Sequence, residues 1–452
     1  MVKENKMGVA PVGRLLLTMS LPMMLSMLVQ ALYNIVDSLF IAAIPGEQFE
    51  YTAINLAFPA QNLLIAIAVG TGVGINALAS RSLGMGEGER AKKIAGNGLT
   101  LLCFSYLFFA ILGIFAARPF YEMMTDIPEV IEYGTQYLSI CLVASLGLCI
   151  QVAFEKFMQS TGKTTLSMVI QLSGAITNII LDPILIFGWF GLPAMGIAGA
   201  AIATVTGQIL SAFVGFILNQ TKNKELKISL SHLKLEGRVV GDIYKIGVPS
   251  ILMGSVGSIM TSGMNLILGG FEKAAVDTFG TYFKLQSFVF MPVFGLNNGL
   301  ISIVAYNYGA QKRARLMKAI RSGIIYAGSF MLFGLLIFQL FPNLLLGLFT
   351  PSAELLRYGV PALRIISVCF VFASISVIFT ASFQALGYSF LSMIVSIARQ
   401  LVILLPAAYL LSLTGNVDNV WWSFPIAELI CLVCCIFFFK YMYKKIISKL
   451  PK

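Results

Sequence analysis

The chain has 452 residues, of which 58% are hydrophobic and only 11% are charged. A soluble domain carries about 25% charged residues, so this chain lacks the charge to cover a soluble surface. Its 7 Cys residues are too few for a disulfide scaffold, and its 41 Gly residues follow no Gly-x-y period. The composition therefore predicts a polytopic membrane protein.

Apolar runs long enough to cross a membrane recur along the whole chain. A spanning helix needs about 20 apolar residues. The first run is too long for a signal peptide and lacks a small-residue cleavage site, so we interpret it as a retained helix. We predict an all-α protein with twelve spans, at residues 14–43, 52–82, 94–117, 133–159, 165–188, 196–219, 242–270, 277–307, 318–342, 356–385, 389–413 and 421–443.

The net charge of +11 follows the loops of this topology. Most Lys and Arg residues lie in alternate loops and in the two tails, which would all share one side of the membrane. Basic residues mark the cytoplasmic side, so we expect a multi-pass protein of the cell membrane with both termini in the cytoplasm. The basic residues form no single face, and we expect no nucleic-acid partner.

The second half of the chain repeats the first half at a shift of 225 residues. Each half has six spans, so both halves enter the membrane in the same direction. We predict two parallel six-helix repeats with a pseudo-twofold axis along the membrane normal: an N-terminal lobe at 1–219, a cytoplasmic linker at 220–240 and a C-terminal lobe at 241–452. Parallel repeats are typical of transporters. Matching pairs include Phe58 and Phe283, Gln61 and Gln286, Gly70 and Gly295, Gly74 and Gly299, Gln159 and Gln384, and Gly162 and Gly387.

Motifs for nucleotide use and for enzymatic chemistry do not stand out. Gly162-Lys163-Thr164 looks like the end of a phosphate-binding loop, but Phe157 stands where that motif requires its first glycine. We therefore expect no ATP use, no cofactor, no structural metal and no enzymatic activity. Transport would draw on an ion gradient or on the gradient of the substrate itself.

Two acidic residues lie at membrane depth in the first half. Asp37 and Asp182 each fall about 9 Å below the outer boundary when depth is counted at ~1.5 Å per residue. Asn178 shares a helix face with Asp182, and Thr204 lies at a similar depth. Pro183 removes a backbone donor and leaves a carbonyl acceptor free. Such oxygen ligands suit Na⁺, and two adjacent acids can also share a proton. We predict a cation-coupling site at Asp37, Asn178, Asp182 and Thr204.

Other polar residues in the spans leave alternatives open. Gln61 and Gln286 are repeat mates that either line a central cleft or bond between helices. Arg399 and Glu428 are placed to form a structural ion pair. Glu155, at an inner helix end, is either solvated or part of a gate.

Several segments together resemble the multidrug and toxic compound extrusion (MATE) family along the whole chain. The resemblance implies twelve helices in two lobes around a cleft, and an antiporter that exports small organic cations in exchange for H⁺ or Na⁺. It places the cation site on the four residues named above. We further predict a monomer and a substrate cleft at Tyr33, Asn34, Gln61, Gln286 and Met291. The matching segments are Pro22, Tyr33-Asn34-x-x-Asp37, Asn178-x-x-x-Asp182-Pro183, Gly199 to Thr204, and the Gln-x-x-Gly turns at Gln159 and Gln384.

Spans 7 and 10 carry no acid within their apolar runs, which departs from the sodium-coupled branch of the family and leaves the coupling ion open. The alternative function is a lipid-linked oligosaccharide flippase of the same superfamily. A flippase requires a cluster of basic side chains for its pyrophosphate, whereas the spans hold only Lys284, Arg364 and Arg399.

Overall fold

The computed structural model describes residues 5–42, 49–349 and 353–451, except for the side chains of residues 34, 35, 38 and 42. The described part of the chain consists of helices and connecting loops and contains no strand. The predicted all-α class is confirmed.

Among the described residues, ten helices are long and apolar enough to cross a membrane, and the number of spans is twelve when each of two bent helix pairs is counted as one span. Short helices outside the spans cover Lys6–Val9, Ala117–Met124, Pro342–Gly347 and Val417–Trp421, and single 3-10 turns cover Trp189–Gly191, Lys224–Leu226, Leu230–Leu233 and Ile447–Lys449. The twelve spans, named α1 to α12, are Val12–Ala42, Phe49–Gly84, Gly88–Phe115, Pro128–Val143 with Leu146–Ser160, Thr164–Phe187, Gly196–Lys222, Gly237–Leu268, Lys273–Gly309, Arg313–Leu340, Ala353–Ser367 with Cys369–Ala385, Ser389–Ser412, and Ser423–Lys445.

The fourth span of each repeat is bent, which the apolar runs did not predict. The two parts of α4 meet at 44° and those of α10 at 46°. A buried serine stands next to each break: Ser145 Oγ donates to the Leu142 carbonyl at 2.7 Å, and Ser367 Oγ donates to the Arg364 carbonyl at 3.1 Å. Such side-chain bonds compete with the helical ladder. The two bends lie at corresponding places in the repeats.

The Gln-x-x-Gly turns after α4 and α10 have the same backbone structure. Gly162 and Gly387 have φ angles of 79° and 84°, which favour glycine. The amide of each glycine donates to the carbonyl of Gln159 or Gln384 at 3.0 Å. These are helix C-terminal motifs that only a left-handed residue completes. The structural duplication therefore extends to individual turns.

The described chain forms two compact units whose boundaries fall inside helices. One unit covers Leu25–Ile251, and the other combines Met1–Met24 with Leu252–Lys452. The first part of α1 thus packs with the second repeat, and the first part of α7 packs with the first repeat. These boundaries differ from the predicted lobes, which divide at the linker.

Glycines allow the first part of α1 and the first part of α7 to pack closely against helices of the other repeat. A Cβ atom on Gly74 of α2 would lie 2.5 Å from the Ile243 carbonyl oxygen, and one on Gly299 of α8 would lie 2.7 Å from Ser20 Oγ. Real Cβ atoms do not approach so closely. Gly74 and Gly299 are repeat mates, so each half-helix packs against a glycine at the corresponding position of the repeat.

The second part of the predicted linker is held against α3. Asn97 is buried, and its amide nitrogen donates to the carbonyls of His232 and Lys234 at 3.3 and 3.0 Å. Its Oδ1 accepts from the Glu236 amide at 2.7 Å. Residues 230–236 therefore form a segment bonded to α3, which we name the strap. It lies on the same unit as the first part of α7.

Candidate cation site

Helices α5 and α6 approach each other closely beside the predicted cation residues. A Cβ atom on Gly207 would lie 2.7 Å from the Gly174 carbonyl oxygen, and one on Gly199 would lie 2.6 Å from the Leu185 carbonyl oxygen. Small residues let helix backbones approach in membranes, where there is little hydrophobic driving force between helices. This contact brings short polar side chains on the two helices within reach of one another.

Asn178 is the polar link between α5 and α6. Its Nδ2 donates to Asp182 Oδ1 and to Thr204 Oγ1, both at 3.2 Å. Asn178 is 3% exposed and Asp182 is fully buried. Because both amide hydrogens are used, the amide orientation is set and Asn178 Oδ1 remains an acceptor.

Asp37 on α1 completes the cluster. Its carboxyl group lies within hydrogen-bonding distance of the Asp182 carboxyl group. Two carboxyl groups form a hydrogen bond only when one of them carries a proton. The structure therefore joins Asp37, Asn178, Asp182 and Thr204 in one unit, on three different helices.

Three buried oxygens of this cluster have no hydrogen-bond donor: Asp37 Oδ1, Asn178 Oδ1 and Asp182 Oδ2. Buried polar atoms are nearly always paired, and a buried unpaired carboxylate is strongly disfavoured. A proton shared by the two acids supplies one of the missing donors. A small oxygen-binding cation such as Na⁺ can be coordinated by several of these oxygens at once. The donor set thus fits a monovalent cation.

Further polar groups lie near the two acids. The Tyr33 side chain, one turn before Asp37, is close enough to interact electrostatically with both acids. Gln61 Nε2 on α2 donates to the Tyr137 hydroxyl on α4 at 3.3 Å. The structure contains this bond between helices, and a place for Gln61 in a substrate cleft stays a prediction.

The other predicted cleft residues fall on both units. Gln286 and Met291 are half-buried on α8. The side chain of Asn34 lies outside the described residues. A substrate cleft at these positions stays a prediction.

Two further pairs of ionisable residues lie on the spans. Arg399 Nη1 lies 3.1 Å from Glu428 Oε1, which confirms the predicted ion pair. Glu155 is 8% exposed, and its Oε1 accepts from Gln151 Nε2 at 2.9 Å, so it is not a solvated helix end. The adjacent Lys156 is also buried and donates to Gln159 Oε1 at 3.0 Å.

The chain matches a known protein family in both of its repeats. The MatE family model matches residues 22–184 and again residues 249–410, one match in each repeat. The chain belongs to the MatE family. MatE proteins are membrane transporters, and the double match agrees with the duplicated helices, bends and turns.

Curated relatives and solved structures agree with this family. The chain is 26% identical to the multidrug export protein MepA of Staphylococcus aureus over 431 residues, covering 93% of this chain and 92% of the relative. It is 26% identical to MepA of Staphylococcus haemolyticus, covering 92% and 91% of the two chains. A MATE protein crystallised with MaL6 matches with a TM-score of 0.92 at 24% identity, covering 100% of this chain and 99% of the other. The outward-facing conformation of a multidrug resistance MATE family transporter matches with a TM-score of 0.91 at the same identity and coverage.

Sequence reasoning missed the glycines that support the cation cluster. Gly174 is one turn before Asn178, and Gly207 is one turn after Thr204. Small residues spaced along two consecutive apolar spans are a signal of close helix packing. That signal was present in the sequence and points to the α5–α6 contact.

Proposed function

We propose that this MatE protein is a secondary antiporter of the cell membrane that exports small organic cations in exchange for H⁺ or Na⁺. The observation that carries the proposal is the buried cluster of two carboxyl groups and an amide with three oxygens lacking donors. The names of the MepA relatives support multidrug export. The chain functions without ATP, as a monomer with both termini in the cytoplasm.

Cation binding acts on α1 in this mechanism. Asp37 is the only one of the four site residues on α1, and the contact with Asp182 ties this part of α1 to α5. When the cation leaves, two buried anions face each other, and their repulsion favours a different packing of α1. Pro22 lies in the same helix, where it lacks the amide that would stabilise a straight helix. Cation occupancy therefore selects between two conformations of α1.

The substrate charge follows from the same cluster. Exchange of one cation for another leaves the number of charges in the protein interior balanced. Anionic substrates would require a cluster of basic side chains at membrane depth, whereas the predicted spans, away from their ends, hold only Lys284, Arg364 and Arg399, of which Arg399 is paired with Glu428. We therefore expect monovalent lipophilic cations as the preferred substrates.

The test uses Asp37→Asn and Asp182→Asn, which keep the side-chain shape and remove the charge. Each should reduce gradient-driven export per folded molecule by at least about tenfold, because each removes part of the same site. The double variant should be no worse than either single one, since residues that share a site are not additive. Asp126→Asn, at an exposed aspartate in the same unit, is the matched control.

The assay is counterflow in proteoliposomes with imposed pH or Na⁺ gradients, which also identifies the coupling ion. Normal ion-driven export per molecule in Asp37→Asn would refute the coupling site. Transport restricted to anionic or lipid-diphosphate substrates would replace the antiporter by the flippase.

A further inference from the structure

The unit formed by Met1–Met24 and Leu252–Lys452 holds one buried carboxylate among its described residues. Glu428 on α12 pairs with Arg399 on α11, and their side chains are 11% and 24% exposed. Only one carboxylate oxygen is used, because Glu428 Oε2 is buried and has no donor. The site is thus an anionic oxygen ligand with one attached cation and one free acceptor.

The repeat places this pair beside the counterpart of the cation site. A shift of 225 residues relates Arg399 to Gly174, one helical turn before Asn178. Asn178 and Thr204 join α5 to α6 in the first repeat, and Arg399 and Glu428 join α11 to α12 in the second. Both repeats therefore have a polar contact between their fifth and sixth helices, but only the second supplies its own positive charge.

The backbone of α11 makes room for the arginine. In α5 the equivalent Gly174 admits no side chain, since a Cβ atom there would lie 3.0 Å from the Gly207 carbonyl oxygen. In α11 residues Ala398–Leu404 form a π-helical segment, which widens the helix locally. Pro406 follows and lacks the amide that would bond the Val402 carbonyl. π-helical segments are frequent at functional sites.

The described groups that interact with the pair are thiols and a phenol. The thiols of Cys369, Cys431 and Cys435 and the phenol of Tyr282 are close enough to interact with Glu428 or Arg399. These groups are neutral in their ordinary state. The Arg399 guanidinium, 3.1 Å from Glu428 Oε1, is therefore the positive charge that compensates this buried carboxylate, and its removal would leave the carboxylate without that compensation.

We propose that Glu428 is a second monovalent-cation site, which Arg399 occupies as a permanently tethered cation. This inference rests on the proposed coupling function, and it assigns one exchangeable cation site to each chain, at Asp37 and Asp182. Without the guanidinium, Glu428 takes up a proton or Na⁺ from solution. The second repeat thus keeps a carboxylate that binds a cation. Its cation is the covalently attached guanidinium of Arg399, which is not exchanged.

The test counts cations on purified protein in lipid nanodiscs. Proton uptake between pH 9 and pH 5 is measured by potentiometric titration, and Na⁺ binding is measured with radioactive sodium. Arg399→Gln should bind one more proton or one more Na⁺ per folded chain than the wild type. The extra cation should disappear in the double variant Arg399→Gln/Glu428→Gln. Arg399→Lys keeps a tethered charge, and Arg364→Gln removes an exposed arginine from α10. Both variants should bind the same number of protons and Na⁺ ions per chain as the wild type.

Equal cation counts in folded Arg399→Gln and in the double variant would overturn the proposal. Both variants retain Asp37 and Asp182, so the comparison between them does not depend on the first site. Failure of the coupling function would appear separately, as unchanged cation binding in Asp37→Asn.

Poor folding of Arg399→Gln still gives a decisive measurement. A bound cation stabilises the folded state, so the Tm of this variant should rise with Na⁺ concentration or with falling pH. The double variant has no carboxylate at this position and should lack that part of the response. Parallel Tm curves for the two variants would contradict the proposal.

Discussion

The α5–α6 contact offers a direct test of how the cation site is held together. In Gly207→Ala the new Cβ atom would lie 2.7 Å from the Gly174 carbonyl oxygen, whereas ordinary contact begins at 3.4 Å. The helices must separate locally by about 0.7 Å, and overpacking of this kind costs about 1–3 kcal/mol of unfolding free energy.

The same displacement reaches the site, because Gly207 is one turn from Thr204. The bond from Asn178 to Thr204 is 3.2 Å long, and the shift would stretch it to about 3.9 Å, beyond hydrogen-bonding distance. A neutral hydrogen bond contributes about 1 kcal/mol. We therefore expect cation affinity to fall about fivefold, since ~1.4 kcal/mol corresponds to a factor of ten.

The measurements are the Tm and the Kd for the coupling cation in the same nanodisc preparation. Gly241→Ala is the matched control, because no atom lies within 4 Å of the position of its Cβ and the residue is exposed in α7. Alanine in a helix interior should stabilise that variant by about 0.5–1 kcal/mol, a shift of opposite sign. An unchanged Kd in Gly207→Ala, with the Tm lowered as expected, would show that the contact stabilises the fold without positioning Asn178.

Three other features give independent tests. A single-Cys label at Thr125 should react from outside the cell and one at Gln311 only from inside, and outside labelling at Gln311 would refute the parallel repeats. Asn97→Ala should lower the unfolding free energy by about 2–3 kcal/mol, because the strap at 230–236 loses its bonds to α3; an unchanged Tm would mean that the strap is not held there. Gln61→Leu should cost about 1 kcal/mol through its lost bond to Tyr137. The drug Kd of that variant should stay unchanged, and a large change would place Gln61 in the substrate cleft.

The cation cluster was predictable because depth along a membrane helix follows from residue counting. Asp37 and Asp182 reach the same level by that count, and the structure brings their carboxyl groups together. The number of spans was predictable for a similar reason, since apolar length is read directly from composition.

Features that depend on local bonds or on packing partners were not predictable in this way. The bends in α4 and α10 arise beside Ser145 and Ser367, whose hydroxyl groups bond backbone carbonyls inside an unbroken apolar run. The unit boundaries fall at Met24 and Ile251, inside continuous helices whose residues on either side of the boundary are mostly apolar. The glycine contacts at Gly74 and Gly299 show which bundle each half-helix joins.

The duplicated fold carries an asymmetric distribution of charge, and this asymmetry has a mechanistic consequence. The acid in α7 is Asp242, which lies near the start of that helix, is half exposed and is 3.6 Å from Arg90. The described residues of α11 contain no acid, so α7 and α11 lack a buried acid pair. Both α1 and α7 contribute to two units, but of these two helices only α1 carries a buried carboxyl group, Asp37, that belongs to the predicted cation site. If the cation drives the conformational change, it must therefore act through α1, and α7 must follow through packing alone.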